Sequence, residues 1–67
     1  MQEFTIAQIE KAVNAWREAE GVQNHKLGLM TRTVADVYGR MIFDRATVIG
    51  VTKLTAEERG AVERILA

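Results

Sequence analysis

The stretch FTIAQI at residues 4–9 carries a complete helix-start signature. The hydroxyl of Thr5 can accept a hydrogen bond from the backbone N–H of Gln8, and the amide of Gln8 can reach back to the N–H of Thr5, which together form a capping box. Phe4 and Ile9 occupy the two positions of a hydrophobic staple around this box. The stretch therefore predicts that a helix begins directly after Thr5.

The same signature returns near the C-terminus, in LTAEE at residues 54–58. Thr55 is the expected cap here, and the carboxylate of Glu58 takes the role of the amide. A weaker version, TVAD at residues 33–36, lies between the two and marks the start of another helix. Three start signals in one short chain predict an all-α domain of three helices, which homodimerisation would complete.

The first helix is expected over residues 6–20. Its apolar residues recur at three- and four-residue spacing, as they do on the buried face of a helix: Ile6, Ile9, Val13 and Trp16. This placement makes Trp16 a core anchor rather than a stacking platform for a ligand. Gly21 follows as a left-handed stop.

The second helix is expected over residues 33–46, with its start directly after Thr31 or Thr33. Its apolar residues have the i, i+3, i+4, i+7, i+8 spacing of a face that contacts a core: Val34, Val37, Tyr38, Met41 and Ile42. On its other side, four charged residues of alternating sign are spaced by four and form a charge ladder: Arg32, Asp36, Arg40 and Asp44. Successive members have the spacing of intrahelical ion pairs, so we expect a solvated face.

The last helix is expected over residues 56–66. Gly60 lies inside it, at a cost of about 1 kcal/mol relative to Ala, which indicates close packing there. The whole chain, residues 1–67, is expected to form one small domain. A core of this size is marginal, and because the sequence contains no Cys, disulfides and thiolate metal sites cannot supplement it. A partner subunit is the remaining supplement.

Two segments have no helical pattern. Residues 21–32 contain two glycines, and they predict a loop that Leu27, Leu29 and Met30 hold against the core. Residues 47–52 are β-branched around a glycine. They are either the frayed end of the second helix or a short extended segment, which must pair with the first loop or with another chain because a lone strand is unstable.

The second helix carries a candidate interaction surface. Ala35, Gly39 and Phe43 are spaced by four, away from the core stripe, and small residues followed by an aromatic let another helix approach closely. Either this face binds a partner, or the helix is central and covered on both sides by its own chain. Arg40 of the ladder belongs to the candidate surface. Arg45 is either an interface guanidinium or a side chain that reaches outward from the helix end.

Composition and charge disfavour several functional classes. Apolar residues make up 48% of the chain and charged residues 27%, which is a globular composition, and the net charge is zero. Neutrality disfavours nucleic acid and membrane surfaces as partners, although residues 25–53 hold five basic against two acidic side chains. The sequence has one His and no Cys, and it contains neither a glycine-rich phosphate loop nor the spacing of metal ligands. We therefore expect the protein not to be an enzyme and to bind no cofactor or metal. His25 is expected to have no functional role.

Two stretches resemble a known bacterial family, the domain of unknown function family 3717. The residues that carry the resemblance are Thr5, Ile6, Ile9, Glu10, Ala12, Val13, Asn14, Trp16 and Arg17 in the first stretch, and Ala35, Asp36, Val37, Tyr38, Met41 and Ile42 in the second. The resemblance implies a small bacterial, phage or plasmid protein. It implies no activity.

The leading functional hypothesis is a non-catalytic protein-interaction module. We expect it to form a homodimer through the second helix, to bind a larger protein partner, or both, and to act as a small bacterial regulator or inhibitor. A cytoplasmic location is expected, since no leader or membrane span is visible in the sequence. The alternative is a DNA-binding regulator, in which Ala35 and Gly39 are the small residue and the turn glycine of a divergent helix-turn-helix.

Overall fold

The computed structural model describes residues 2–23 and 26–66. Three helices dominate it: α1 (Ile6–Glu20), α2 (Leu29–Phe43) and α3 (Ala56–Leu66). The expected all-α domain of three helices is confirmed. Four short strands complete the described part, namely β1 (Glu3–Thr5), β2 (Val22–Gln23), β3 (Lys26–Leu27) and β4 (Val48–Gly50), and a 3₁₀ turn over Val51–Lys53 follows β4.

Both full capping boxes form, and α1 and α3 have the predicted bounds. At α1, the N–H of Thr5 donates to Oε1 of Gln8 over 2.8 Å, and the N–H of Gln8 donates back to the Thr5 hydroxyl over 3.2 Å. At α3, the N–H of Thr55 donates to Oε1 of Glu58 over 3.0 Å, with a return bond of 3.1 Å. Gly21 follows α1 with a φ of 69° and a ψ of −174°, so the helix stops at this glycine as predicted, but in an extended conformation with positive φ rather than in the left-handed helical one.

The start of α2 differs from the prediction, which placed it at residue 33. Thr33 lies inside the helix, and its hydroxyl donates to the carbonyl of Leu29 over 2.9 Å instead of capping a helix end. The cap position is Gly28, which has no side chain to offer. The carboxylate of Glu20 takes over this role from the end of α1, because it accepts the N–H groups of Met30 and Thr31 over 3.0 and 2.7 Å.

The end of α2 also differs, since the helix stops at Phe43 rather than at residue 46. Arg45 adopts a left-handed backbone with a φ of 56°. Its N–H donates to the carbonyl of Ile42 over 3.1 Å, and the N–H of Ala46 donates to the carbonyl of Met41 over 2.8 Å. These two bonds are the Schellman arrangement, and they turn the chain away from the helix axis.

The segment over residues 47–52 is extended at its centre, and its pairing partner was predicted wrongly. Strand β4 pairs antiparallel with β1, in a register that sets Phe4 opposite Ile49. The first loop and a second chain were the expected partners. The N-terminal segment takes their place because Thr5 must be extended to cap α1, which leaves the preceding backbone extended and available to a strand.

The predicted loop over residues 21–32 is shorter than expected. Strands β2 and β3 pair antiparallel within it, and the first turn of α2 occupies its end. Met30 packs against the core as predicted, whereas Leu29 is 75% exposed. His25 and the side chain of Leu27 lie outside what the structure describes.

The core lies between the three helices and the β1–β4 pair. Its buried apolar residues are Phe4, Ile9, Ala12, Val34, Val37, Met41, Val51, Ala61 and Val62. Trp16 packs against them and its indole N–H donates to the carbonyl of Ala61 over 2.8 Å, so its prediction as a core anchor is confirmed. The prediction of close packing at Gly60 is wrong, because a Cβ built there would meet no atom within 4 Å.

Candidate interaction surface on α2

The outward side of α2 carries a shallow groove of about 330 Å³. We call it the outer groove, and its lining residues are Ala35, Asp36, Gly39, Arg40, Phe43 and Asp44. The buried residues Val34, Val37 and Met41 lie on the opposite side of the helix. The structure thus brings together four of the five residues that were singled out from the sequence, and Arg45 is the one that stays outside.

The outer groove combines an exposed aromatic ring at one end with a gap at its middle. Phe43 is 88% exposed, so α2 is not covered on this side by its own chain. Gly39 leaves a gap, because a Cβ built there would meet no atom within 4 Å. An exposed aromatic ring beside an open backbone is the kind of apolar surface that marks an interaction site.

Arg40 is held at the edge of the groove by α3. Its Nη2 lies 2.7 Å from Oε2 of Glu58, and about half of its side-chain surface is exposed. The other carboxylate oxygen of Glu58 accepts the N–H of Thr55 in the capping box. One carboxylate therefore fixes both the first turn of α3 and the direction of the Arg40 guanidinium.

The charge ladder does not form the expected intrahelical ion pairs. In the described part of the chain, no two ladder members lie within 4 Å of each other as an ion pair, and the ion pairs found there are Arg40–Glu58 and Arg59–Glu63. Asp36 and Asp44 line the outer groove instead. Sequence reasoning missed them as site residues because their regular spacing was interpreted as a solvated face.

Two predicted positions at the end of α2 are corrected. Ile42 was assigned to the core stripe, but it is 53% exposed, since α2 ends one residue later. Arg45 was expected inside the second helix, over residues 33–46, and the structure shows it exposed, in the left-handed turn beyond the helix. The side chain of Arg45 reaches outward, as one of its two interpretations stated.

A second cleft continues the surface toward the strands. It has a volume of about 470 Å³ and shares Arg40 and Asp44 with the outer groove, and its wall includes Val48 and Ile49 of β4. Val48 is 41% exposed. The exposed surface around Arg40 and Asp44 therefore extends from α2 to the β4 edge.

The position of α2 depends on Glu20. Partial burial of this carboxylate would raise its pKa, but the hydrogen bonds from the N–H and hydroxyl of Thr31 and from the N–H of Met30 lower it below the ordinary value of 4.5. The hydroxyl of Thr31 donates to Oε1 over 2.8 Å. The same side chain explains Gly28, because a Cβ at that position would lie 2.7 Å from the Cβ of Glu20.

The helix-turn-helix register considered from the sequence is not present. Helix α2 continues through Gly39 to Phe43, so Gly39 lies in no turn, and residues 44–55 separate α2 from α3 with a strand and a 3₁₀ turn. Among residues 2–23 and 26–66, no group of three His, Asp or Glu side chains is arranged to hold a metal ion. None of the described helices has the length and apolarity to cross a bilayer.

Comparison with known proteins gives a family but no activity. Neither the curated proteins nor the solved structures contain a match to this chain. One family model matches, described as a protein of unknown function, DUF3717, and the match covers residues 2–67. Since this match spans essentially the whole chain, the protein belongs to the DUF3717 family.

Proposed function

We propose that this protein is a non-catalytic protein-interaction module that binds its partner through the outer groove of α2. The observation that carries the proposal is Phe43, which is 88% exposed next to the gap at Gly39. Burying such a ring stabilises a complex by roughly 1.5–3 kcal/mol. In the isolated chain the ring contributes almost nothing to the core.

The groove fits a helix better than an extended peptide. It lies between two rows of residues spaced by four, Ala35–Gly39–Phe43 and Asp36–Arg40–Asp44. Ridges of a second helix pack into such grooves at preferred crossing angles. Because Ala35 and Gly39 are small, the two backbones can approach closely at the middle of α2.

The role that accompanies this surface is that of a small cytoplasmic regulator or inhibitor. Its partner is a larger bacterial, phage or plasmid protein, a second copy of this chain, or both. The sequence has no Cys and a single His, so it offers no thiol nucleophile and only one imidazole for acid–base catalysis. A chain of this kind acts by occupying a surface, and we assign this role to the outer groove because the exposed Phe43 ring lies in it.

The test is capture of partners by the immobilised protein and by its Phe43→Asp variant. We expect the wild type to retain a defined protein from a bacterial lysate and Phe43→Asp to lose it. Leu29→Asp is the matched control, since Leu29 is equally apolar and 75% exposed on the same helix but lies outside the outer groove. An aspartate there also complements the N-terminus of α2.

Two results contradict the proposal. One is a captured protein that Phe43→Asp and Leu29→Asp retain equally well, because the groove then has no part in binding. The other is retardation of duplex DNA that weakens steeply as salt rises and is unaffected by Phe43→Asp. That result would replace the proposal with the alternative of a DNA-binding regulator.

A further inference from the structure

We infer that the outer groove binds the α2 helix of a second copy of this chain, in an antiparallel orientation about a two-fold axis level with residue 38. This inference rests on the proposed function and names the partner of the same site. The order of charges on α2, the shape of the groove and the anchoring of Arg40 each support it.

The charge ladder is complementary to itself only when the second copy runs in the opposite direction. Its order along α2 is Arg32, Asp36, Arg40, Asp44. In an antiparallel pair centred on residue 38, Asp36 lies opposite Arg40 of the partner subunit, and Arg32 lies opposite Asp44 of the partner subunit. A parallel pair would place each charge opposite its own copy, which is unfavourable at all four positions.

The groove is complementary to itself in shape in the same arrangement. Phe43 lies near one end of α2 and Ala35 toward the other, with Gly39 between them. Reversing the second helix brings Phe43 of each copy to the Ala35 end of the other. The two rings then cover small side chains on both sides of the axis, and the open backbone at Gly39 permits the close crossing that this requires.

Arg40 is already oriented for such a contact. Its Nη2 bonds to Oε2 of Glu58 over 2.7 Å, and a guanidinium has further N–H groups in a fixed planar fork. Asp36 of the partner subunit can accept from these groups while Glu58 keeps its bond. Since Glu58 restrains the Arg40 side chain in the single copy, less conformational entropy is lost when the dimer forms.

The size of the interface sets the expected affinity. Helix α2 has 15 residues and is roughly 22 Å long. One helix pair of this length buries less than the 1,200–2,000 Å² or so of a standard interface. We therefore expect a dissociation constant in the micromolar range, about 10–200 μM, and not a permanent dimer.

The experiment is sedimentation equilibrium on the wild type, on Asp36→Arg, on Arg40→Asp and on an equimolar mixture of the two variants. Each variant alone places like charges opposite each other twice, so we expect its self-association to weaken at least about tenfold. In the mixture, positions 36 and 40 are both basic in one chain and both acidic in the other, so opposite charges face each other again. We expect the mixture to recover a heterodimer with an affinity within about threefold of the wild type.

The controls separate charge pairing from folding and from net charge. Glu10→Arg and Lys11→Asp reverse charges on the exposed face of α1 and are expected to leave the association unchanged. Arg40→Asp also removes the contact with Glu58, whereas Asp36→Arg keeps it, so Asp36→Arg carries the test if the other variant unfolds. A parallel dimer predicts no weakening in Asp36→Arg, because two like charges face each other before and after the change.

Three outcomes overturn the inference: a wild type that stays monomeric up to about 500 μM, above the expected range of the dissociation constant, folded single variants that associate as well as the wild type, or a mixture of two folded variants that does not recover. The proposed function is judged separately. If the wild type is monomeric but Phe43→Asp abolishes capture of another protein while Leu29→Asp does not, the groove binds a larger partner and only the dimer is wrong.

Discussion

Because Gly28 has no side chain, the carboxylate of Glu20 fits against it and caps the first turn of α2. The start of α2 therefore depends on this glycine. Gly60 has no such neighbour, because it lies in α3 with open space around the position of a Cβ. The same substitution should therefore have opposite effects at these two glycines, one at a helix start and one in a helix interior.

We expect Gly28→Ala to lower the free energy of unfolding and Gly60→Ala to raise it. The added methyl group at Gly28 overlaps the side chain of Glu20 and displaces the cap of α2, at a cost of about 1–2 kcal/mol. At Gly60 it only removes the helix penalty of glycine, a gain of about 0.5–1 kcal/mol. Urea denaturation of the two variants checks this, and a stabilised Gly28→Ala would contradict the role of the close approach.

Arg45 is the one described residue other than glycine with a positive φ, and it occupies the position after a helix end where glycine is common. We expect Arg45→Gly to stabilise the protein by about 1 kcal/mol, since it relieves the left-handed strain and the side chain is exposed. Arg45→Ala keeps the strain and serves as the control. Equal thermal midpoints for these two variants would show that the backbone conformation has no part in the effect.

At the level of elements, the helices differ in how many residues separate the helix start from the side chain that caps it. Helices α1 and α3 begin with capping boxes whose members are three residues apart, so their starts could be predicted from the sequence. Helix α2 is capped by a residue ten and eleven positions earlier, and no local pattern reveals that. The local signal at Thr33 was therefore interpreted as a start.

The Glu20 carboxylate that caps α2 makes the free energy of unfolding depend on pH. Because the folded state lowers the pKa of Glu20 below 4.5, its stabilising contribution is complete above that value and is lost as the pH falls through the lower, folded-state pKa. We expect Glu20→Gln to be less stable than the wild type at pH 7 and to lose less stability on acidification. Thermal midpoints between pH 7 and pH 3 measure this.

Glu10→Gln provides the matched control for the acid titration, since Glu10 is exposed on the same helix. Its midpoints should follow those of the wild type over the whole pH range. If Glu20→Gln and the wild type lose stability in parallel, the hydrogen bonds to Met30 and Thr31 do not account for the acid sensitivity.

The strands show the same limit of local patterns. The β-branched residues after α2 indicated that an extended segment was one option, but its partner β1 lies more than forty residues earlier. Only the packed core brings the two together. Similarly, the spacing of Ala35, Gly39 and Phe43 predicted the candidate surface, whereas Glu58, which directs Arg40, could not be connected to it from sequence spacing.

For the whole molecule, a change in the exposed outer groove should affect dimerisation much more than the stability of the single chain. Phe43 contributes little to the core of the single chain, so we expect Phe43→Asp to lower the free energy of unfolding of the monomer by no more than about 1 kcal/mol, which is the cost of a carboxylate in the last turn of α2, at the negative end of the helix dipole. The dimer adds stability by mass action. The thermal midpoint of the wild type should therefore rise with protein concentration, and that of Phe43→Asp should not.

The control for this measurement is Leu29→Asp, whose midpoint should depend on concentration as that of the wild type does. A wild-type midpoint that is constant between about 10 and 500 μM, a range that brackets the expected dissociation constant, would contradict self-association under these conditions. A large loss of stability in Phe43→Asp at low concentration would show that the ring also supports the monomer.

The shared carboxylate of Glu58 turns the first turn of α3 into a reporter of events on α2. Its two oxygens hold the backbone N–H of Thr55 and the guanidinium of Arg40, so a molecule that binds Arg40 changes the electron density available to that N–H. In a ¹H–¹⁵N correlation spectrum, the Thr55 resonance should shift on titration although no ligand touches it. Groove occupancy can then be followed from a remote amide, without a label on the binding face.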